Sequence, residues 1–206
     1  MLDFIHEYVP APSGSPWTLL LLHGTGADER DLLSLGAEMG PGAALLSPRG
    51  KSAEDGMNRF FRRPIMGVFE LEDLKFRTHE LADFVEAAAT HYAFDPKKVI
   101  AVGYSNGANV AASMLLLRPH VLAGAVLLRP MVPLVPERLP SLEARPIWIG
   151  GGKRDTIIPP AQTAALSQLL KSAGAALTEH WSPGGHELNA EELEAAAAFL
   201  SSKVKY

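Results

Sequence analysis

A serine that could act as a nucleophile lies near the middle of the chain. Ser105 is the central residue of the pentapeptide GYSNG, residues 103–107, which fits the pattern G-x-S-x-G. The apolar run VIAV (99–102) precedes it, and a small-residue helical segment (108–117) follows it. A serine between a strand and a helix lies on a sharp turn, with its hydroxyl exposed at the carboxyl end of the strand. The pentapeptide alone is a loose pattern, so its meaning depends on whether the chain supplies partners for the serine.

The chain contains such partners in the expected order. A serine hydroxyl is a poor nucleophile until a base takes its proton, and the base needs a carboxylate that orients it. Asp155 ends a glycine-rich loop after the apolar run 146–149, and His186 ends a turn after the short run 177–181. After a strand–serine–helix turn, the carboxylate is expected before the histidine. We interpret Ser105 as the nucleophile, His186 as the general base and then acid, and Asp155 as the carboxylate that fixes the imidazole tautomer.

Other interpretations of the carboxylate stay open. Asp155 precedes two prolines, 159–160, and could simply help to start the next helix. Glu179 and Glu187 are rival carboxylates for His186, although neither ends a glycine-rich loop after a strand.

Two backbone N–H groups are predicted to stabilise the oxyanion of an acyl-transfer reaction. One belongs to Asn106, directly after the serine, and the other to Thr25, in the loop 23–27 after the apolar run 17–22. We expect His23, in the same loop, to orient the loop rather than to react.

Short apolar runs alternate with amphipathic helical segments along the chain. This alternation predicts a mostly parallel sheet in a three-layer α/β/α sandwich, with the loops after the strands meeting at one edge. The predicted strands cover 4–9, 17–22, 43–46, 98–102, 123–128, 146–149 and 177–181, and a long polar segment covers 47–73. The predicted helices cover 78–92, 108–117, 163–172 and 190–200, and a further helix, capped by Asp28 or Asp31, runs to Met39.

Composition limits the class of protein. The chain has 206 residues, of which 47% are hydrophobic and 20% are charged, so we expect one globular domain over 1–206. Its net charge of −4 argues against nucleic acid or an anionic membrane as the main partner. It has no cysteine, which excludes disulfides, cysteine nucleophiles and thiolate metal sites.

The sequence also suggests a location and an assembly. The first residues, MLDFIHE (1–7), are acidic and lack the basic and apolar regions of a signal peptide. The longest apolar runs, such as 17–22 and 121–128, are too short to span a bilayer. We therefore expect a cytoplasmic protein with no membrane partner. The last strand, 177–181, could lie at a sheet edge and pair two copies in a homodimer.

At these motifs the chain resembles the phospholipase/carboxylesterase branch of the α/β-hydrolases, which includes acyl-protein thioesterases and small bacterial carboxylesterases. The matching stretches are 22–26, 103–109, 152–159 and 184–186, and NRFFR (58–62) is more similar to the small bacterial esterases. The resemblance implies a minimal α/β-hydrolase fold. It also implies hydrolysis of carboxylic esters or thioesters, with no metal or organic cofactor.

The substrate-binding residues are harder to identify. Phe60 and Phe61 could wall the substrate pocket, while Arg59 or Arg62 favours a polar or anionic group on the substrate. The alternative is a solvated loop balanced by nearby carboxylates. Met131, in the segment after the strand 123–128, could line the same cleft or could belong to ordinary packing at its rim.

The connections predict an open site. The segment between the strands ending at Leu128 and beginning at Pro146 is short, so we expect no cap domain. Such a site suits a small-molecule ester with a short or small aromatic acyl group. The leading interpretation is a serine carboxylesterase. A thioesterase or lysophospholipase on the same residues and a non-catalytic binding protein of the same fold are the alternatives.

Overall fold

The computed structural model describes residues 2–12, 14–63 and 69–203. The strands are β1 (His6–Val9), β2 (Thr18–Leu22), β3 (Ala44–Pro48), β4 (Ser52–Glu54), β5 (Met57–Arg59), β6 (Val99–Tyr104), β7 (Gly124–Leu128), β8 (Pro146–Gly152) and β9 (Ala176–Ser182). The helices are α1 (Leu33–Met39), α2 (Leu71–Tyr92), α3 (Asn106–Leu117), α4 (Pro160–Ser172) and α5 (Ala190–Lys203).

Seven of these strands form one sheet in the order β1-β3-β2-β6-β7-β8-β9. All neighbouring pairs are parallel except β1 and β3, which pair Val9 with Leu45 in antiparallel register. The central strands β2, β6 and β7 have nearly continuous apolar sequences because helices cover both of their faces. β6, which leads to the serine, lies in the middle of the sheet.

Helices lie on both faces of the sheet. One face is covered by α2, α3 and α4, whose buried side chains include Leu81, Val110 and Leu166. The other face is covered by α1 and α5, which contribute Met39 and Leu200. The molecule is therefore the three-layer α/β/α sandwich that the sequence predicts.

The predicted cap of α1 is wrong. The residue before the helix is Leu32, and no side chain caps its N-terminus. Asp28 Oδ1 instead accepts a hydrogen bond from the Arg30 N–H at 2.9 Å, so this carboxylate stabilises the turn before the helix. Neither Asp28 nor Asp31 is the N-cap.

Helix α2 begins at Leu71, before the predicted start at Thr78. Its first turn contains Glu72 and Asp73, whose charges interact favourably with the positive end of the helix dipole. Leu74 is fully buried, which extends the apolar face toward the N-terminus.

The polar segment predicted over 47–73 also contains regular structure. Strands β4 and β5 form a hairpin in which Ser52 pairs with Arg59. In contrast, the connection 129–145 between β7 and β8 contains no helix or strand, in agreement with a site that no cap domain covers. None of the described helices is both long and apolar enough to cross a membrane.

Candidate active site

Ser105 lies on a strained turn between β6 and α3. Its backbone has φ +52° and ψ −109°, a region that residues other than glycine rarely occupy. A Cβ on Gly107 would lie 1.9 Å from the carbonyl oxygen of Leu22. A Cβ on Gly103 would lie 2.6 Å from the carbonyl oxygen of Gly107. Both glycines of the pentapeptide are therefore required by close backbone contacts.

The side chains of Ser105, His186 and Asp155 form a continuous row. Ser105 Oγ lies 3.1 Å from His186 Nε2, and Asp155 Oδ2 lies 2.8 Å from His186 Nδ1. In the neutral tautomer that suits this row, Nδ1–H donates to the carboxylate and Nε2 accepts from the hydroxyl. The three residues follow β6, β8 and β9, whose carboxyl ends meet at one edge of the sheet.

The two carboxylate oxygens of Asp155 have different partners. Oδ2 faces the histidine, while Oδ1 accepts hydrogen bonds from the N–H groups of Ile157 and Ile158, both at 2.8 Å. This buried side chain thus both orients the imidazole and stabilises the turn before α4. The rival Glu179 binds Lys171 instead, and this neighbour holds the pKa of Glu179 below its ordinary value.

The N–H groups of Thr25 and Asn106 are available to a ligand. Thr25 lines the same pocket as Ser105. Asn106 is the first residue of α3, where N–H groups have no partner within the helix and the helix dipole favours negative charge. Across the described ranges, neither N–H donates to an acceptor of the protein.

His23 holds the loop that carries Thr25. The Gly50 N–H donates to His23 Nε2 at 3.0 Å, so the ring proton is on Nδ1, which donates to the Gly24 carbonyl oxygen at 2.6 Å. The ring packs on Phe60 with 4.7 Å between centroids. Burial lowers the pKa of His23, which keeps the ring neutral. The structure agrees with the expectation that this histidine orients the loop.

A pocket of about 400 Å³ opens in front of the serine, and we call it the Ser105 pocket. Grooves of about 470 and 490 Å³ occur elsewhere, but they contain none of the three residues of the row. The Ser105 pocket is lined by Gly24, Thr25, Ala27, Asp31, Arg63, Tyr104, Ser105, Ile157 and His186.

Arg63 is a cationic residue of this pocket that the sequence analysis did not select. No carboxylate of the described residues lies within salt-bridge distance of its guanidinium, and the segment 64–68 contains no Asp or Glu. Burial, with the neighbouring Arg59 charge, lowers the pKa of Arg63. The sequence places Arg63 in a basic cluster with Arg59 and Arg62, but it does not indicate the direction of each side chain in a loop.

The four residues of this cluster that were selected do not line the pocket. Phe60 and Phe61 are only 2% and 0% exposed and belong to the hydrophobic core, so they lie behind the pocket surface. Arg59 is buried against Glu54, with 3.4 Å between Nη1 and the carboxylate. Arg62 is exposed and lies 3.7 Å from a carboxylate oxygen of Glu70.

Met131 does not line the pocket either. It is buried, and its N–H donates to the side-chain oxygen of Asn109 at 2.9 Å. In the same way the Phe60 N–H donates to the side-chain oxygen of Asn106 at 2.8 Å. Two asparagines, one turn apart on α3, therefore hold the two segments that were expected to form the substrate site. Asn109 was not selected from the sequence, and only its place beside the pentapeptide could have indicated it.

Comparisons with known proteins identify the family to which the chain belongs. The phospholipase/carboxylesterase family matches the chain over residues 9–204. The MhqD protein of Bacillus subtilis (strain 168) is 48% identical over 186 residues, which is 90% of this chain and 93% of that protein.

Solved structures give the same result. The carboxylesterase of Bacillus cereus superposes with a TM-score of 0.93 at 43% identity, over 97% of this chain and 94% of that one. The structure of YahD with malic acid superposes with a TM-score of 0.90 at 32% identity, over the whole of both chains. The chain therefore belongs to the phospholipase/carboxylesterase family of α/β-hydrolase enzymes.

Proposed function

We propose that this enzyme is a serine carboxylesterase that hydrolyses small carboxylic esters through an acyl-enzyme intermediate. The observation that carries the proposal is the row of hydrogen bonds from Ser105 Oγ through His186 to the buried Asp155. A base within hydrogen-bond distance of the hydroxyl, itself oriented by a carboxylate, is the arrangement that activates a serine.

The first half of the reaction transfers the acyl group to the enzyme. His186 Nε2 takes the proton of Ser105 as Oγ attacks the ester carbonyl carbon, and the carbonyl oxygen becomes an oxyanion. The N–H groups of Thr25 and Asn106 donate to this oxyanion. The tetrahedral intermediate collapses, the bond to the alkoxy oxygen breaks, and His186 returns the proton to the leaving alcohol.

The second half releases the acid. A water molecule gives a proton to His186 Nε2 and attacks the acyl carbon, which forms a second oxyanion at the same two N–H groups. Collapse of this intermediate breaks the bond to Ser105 Oγ, and His186 returns the proton to the serine. The net reaction is ester plus water to acid plus alcohol, with the enzyme regenerated.

The pocket favours a small substrate. At about 400 Å³ the Ser105 pocket is near the lower end of the range of about 300–1,000 Å³ for small-molecule sites. The connection 129–145 adds no helix over it. A short acyl group can be enclosed here, whereas a long lipid chain would leave most of its apolar surface in water.

The Ser105 pocket is lined by one arginine and one carboxylate, Arg63 and Asp31, and we assign recognition of an anionic substrate group to the arginine. The sequence predicts this role for Arg59 or Arg62, but Arg63 fits it better because it lines the pocket. Its guanidinium makes no salt bridge in the described part of the chain, and the Glu54 carboxylate accepts a hydrogen bond from the Arg63 backbone N–H at 2.9 Å. The structure of the relative YahD was solved with malic acid, a dicarboxylic acid, and we therefore include esters that carry a carboxylate among the substrates to test.

A labelling experiment tests whether the site is catalytic. We expect a fluorophosphonate probe to modify the wild-type protein at one residue, identified as Ser105 by peptide mass spectrometry, and to leave a folded Ser105→Ala variant unmodified. Absence of labelling in the folded wild-type protein would contradict the proposal and favour a non-catalytic binding protein.

A substrate series tests which ester is hydrolysed. We expect kcat/KM to be higher for oxygen esters than for thioesters with the same acyl group, and to fall as the acyl chain lengthens. A preference for thioesters or for long-chain lysophospholipids would instead assign the thioesterase or lysophospholipase activity to the same residues.

Three further expectations from the sequence stay predictions. They are a single domain over 1–206, a cytoplasmic location and a homodimer. The strand β9 does lie at an edge of the sheet, as pairing between two copies requires. Light scattering on the purified protein would give the oligomeric state.

A further inference from the structure

A fully buried arginine lies one strand away from the serine. Arg129 follows β7, is 0% exposed and has φ +56°, a left-handed conformation that is strained for a residue with a long side chain. Its N–H donates to the Gly150 carbonyl oxygen at 2.8 Å, and the preceding Leu128 accepts from the Ser105 N–H at 2.8 Å. Its backbone is therefore fixed between the strand of the nucleophile and the strand that leads to Asp155.

The guanidinium of Arg129 holds the loop of the general base. Nε donates to the Gly185 carbonyl oxygen at 2.9 Å, and Nη2 donates to the Glu187 carbonyl oxygen at 2.8 Å. The carbonyl oxygen of His186, between them, accepts from the Tyr104 hydroxyl at 3.1 Å. Three successive carbonyl groups, centred on the base, are thus each held by a side chain from another part of the fold.

Glu192 balances the buried charge. Its two carboxylate oxygens bind Nη1 and Nη2 of Arg129, the second at 2.8 Å, and both side chains are 0% exposed. Glu192 lies in the first turn of α5, where its N–H donates to the Asn189 side-chain oxygen at 3.0 Å. Nε of Arg129 also lies 4.0 Å from Asp155 Oδ2. The Arg129–Glu192 pair therefore connects helix α5, the loop that carries His186 and the carboxylate of Asp155.

A purely stabilising role explains this arrangement poorly. The free energy needed to remove two charges from water cancels much of the attraction between them. Replacing a buried ion pair by apolar residues therefore often leaves stability unchanged or improves it. The strained backbone at Arg129 adds a further cost, and such strain is concentrated at functional sites. What the arginine does supply is a rigid fork of donors that can hold two separate carbonyl groups at once.

We propose that Arg129, held by Glu192, is a positioning residue that fixes the backbone on both sides of His186 and so keeps Nε2 at hydrogen-bond distance from Ser105. The inference rests on the proposed esterase function, because it assigns His186 as the base. Arg129 lies outside the Ser105 pocket and does not contact substrate. Its loss should therefore lower kcat and leave KM nearly unchanged.

The test is the double variant Arg129→Met/Glu192→Leu, which removes both charges together. Removing Arg129 alone would leave Glu192 buried without a partner and could prevent folding. We expect the double variant to adopt the native structure. Its kcat for a short-chain ester should decrease about 100-fold, because a displacement of a catalytic group by about 1 Å lowers the rate by this factor, while KM should stay within about threefold of wild type. The single variant Arg129→Lys should recover only part of kcat, since one ammonium group cannot hold both carbonyls.

The control is Leu200→Ala, which removes a buried side chain from the same helix, α5, away from the base loop. It should lower the melting temperature and leave kcat unchanged at a temperature where the protein is folded. Hydrogen exchange of the peptide 183–189 gives a readout without activity, and it should be faster in the double variant than in the control.

The outcomes separate the two proposals. Wild-type protein that neither hydrolyses esters nor reacts with the fluorophosphonate contradicts the proposed function, whatever the variants do. The proposed role of Arg129 would be wrong if the wild type is active and the folded double variant keeps kcat within about threefold of it, with unchanged hydrogen exchange of 183–189. That result would leave the proposed esterase function intact.

Discussion

The side chain of Asn106 accepts a hydrogen bond from the backbone N–H of Phe60 at 2.8 Å. This contact joins the turn of Ser105 to a segment that is distant in sequence and that carries Arg63, which lines the pocket. Asn106, whose backbone N–H we propose as an oxyanion donor, therefore uses its side chain to hold the segment that carries Arg63.

Asn106→Ala should destabilise the protein by about 1–3 kcal/mol, because the buried Phe60 N–H loses its acceptor. Urea denaturation measures this change. Asn109→Ala is the matched control, since it removes the corresponding acceptor of the Met131 N–H. We expect a similar loss of stability in both, but a raised KM for anionic esters only in Asn106→Ala. Equal kinetic effects of the two substitutions would contradict this division of roles.

Gly107→Ala should prevent the native turn. The added Cβ would lie 1.9 Å from the backbone carbonyl oxygen of Leu22, which cannot move without distorting β2. We expect a loss of more than about 4 kcal/mol of stability, at the extreme of single substitutions. Circular dichroism and soluble yield measure the effect. A folded, active variant would show that the close contact is not obligatory.

His23 should make stability depend on pH. Burial lowers the pKa of His23 in the folded protein, so the unfolded chain takes up a proton first as the pH falls below the ordinary histidine value of 6.5. The free energy of unfolding should be greatest above that value and should decrease as the pH falls from 6.5 toward the lowered folded-state pKa of His23. Below that folded-state pKa, this contribution should no longer change with pH.

The measurement compares urea denaturation of wild type and His23→Gln between about pH 5 and 8, the range in which histidines titrate. Glutamine keeps one donor and one acceptor but does not ionise. The difference between the two proteins isolates His23 from the other ionisable groups. Parallel curves for both proteins over this range would show that His23 contributes no pH dependence.

Arg63→Gln should weaken binding of an ester that carries a carboxylate. We expect KM to rise about tenfold for this ester and to stay unchanged for a neutral ester of similar size, with kcat the same for both. Arg62→Gln is the control, because Arg62 is exposed and lies outside the pocket. An equal rise in KM for the two esters, or an equal rise in the Arg62→Gln control, would show that Arg63 does not recognise the substrate carboxylate.

The order of the motifs was sufficient to predict the architecture and the proximity of Ser105, Asp155 and His186. Alternating apolar runs and amphipathic helices favour a mostly parallel sheet, and the carboxyl ends of parallel strands share one edge. Ser105, Asp155 and His186 each follow a strand, so they had to come near one another. The close contacts of Gly107 also follow from the pentapeptide, because a tight strand–turn–helix leaves no room for a side chain.

Which residue of the segment 59–63 lines the pocket could not be predicted in this way. The segment 59–63 is a loop, and no periodicity tells which of its side chains faces the pocket. Its orientation depends on Asn106, to which the Phe60 N–H is bonded, and on Glu54, which pairs with Arg59. As a result the phenylalanines lie in the core and Arg63 lines the pocket.

The role proposed for Arg129 could not be predicted from the sequence either. In the sequence Arg129 directly follows an apolar run, and nothing in that pattern distinguishes it from a residue that packs at the rim of the site. Its burial depends on a counterion, Glu192, and on the carbonyl groups of Gly185 and Glu187, all of which lie far along the chain. Local patterns and the sterics of a turn predict which residues come together in the candidate site. Contacts between distant segments, which form only when the core packs, establish how those residues are held and what they can bind.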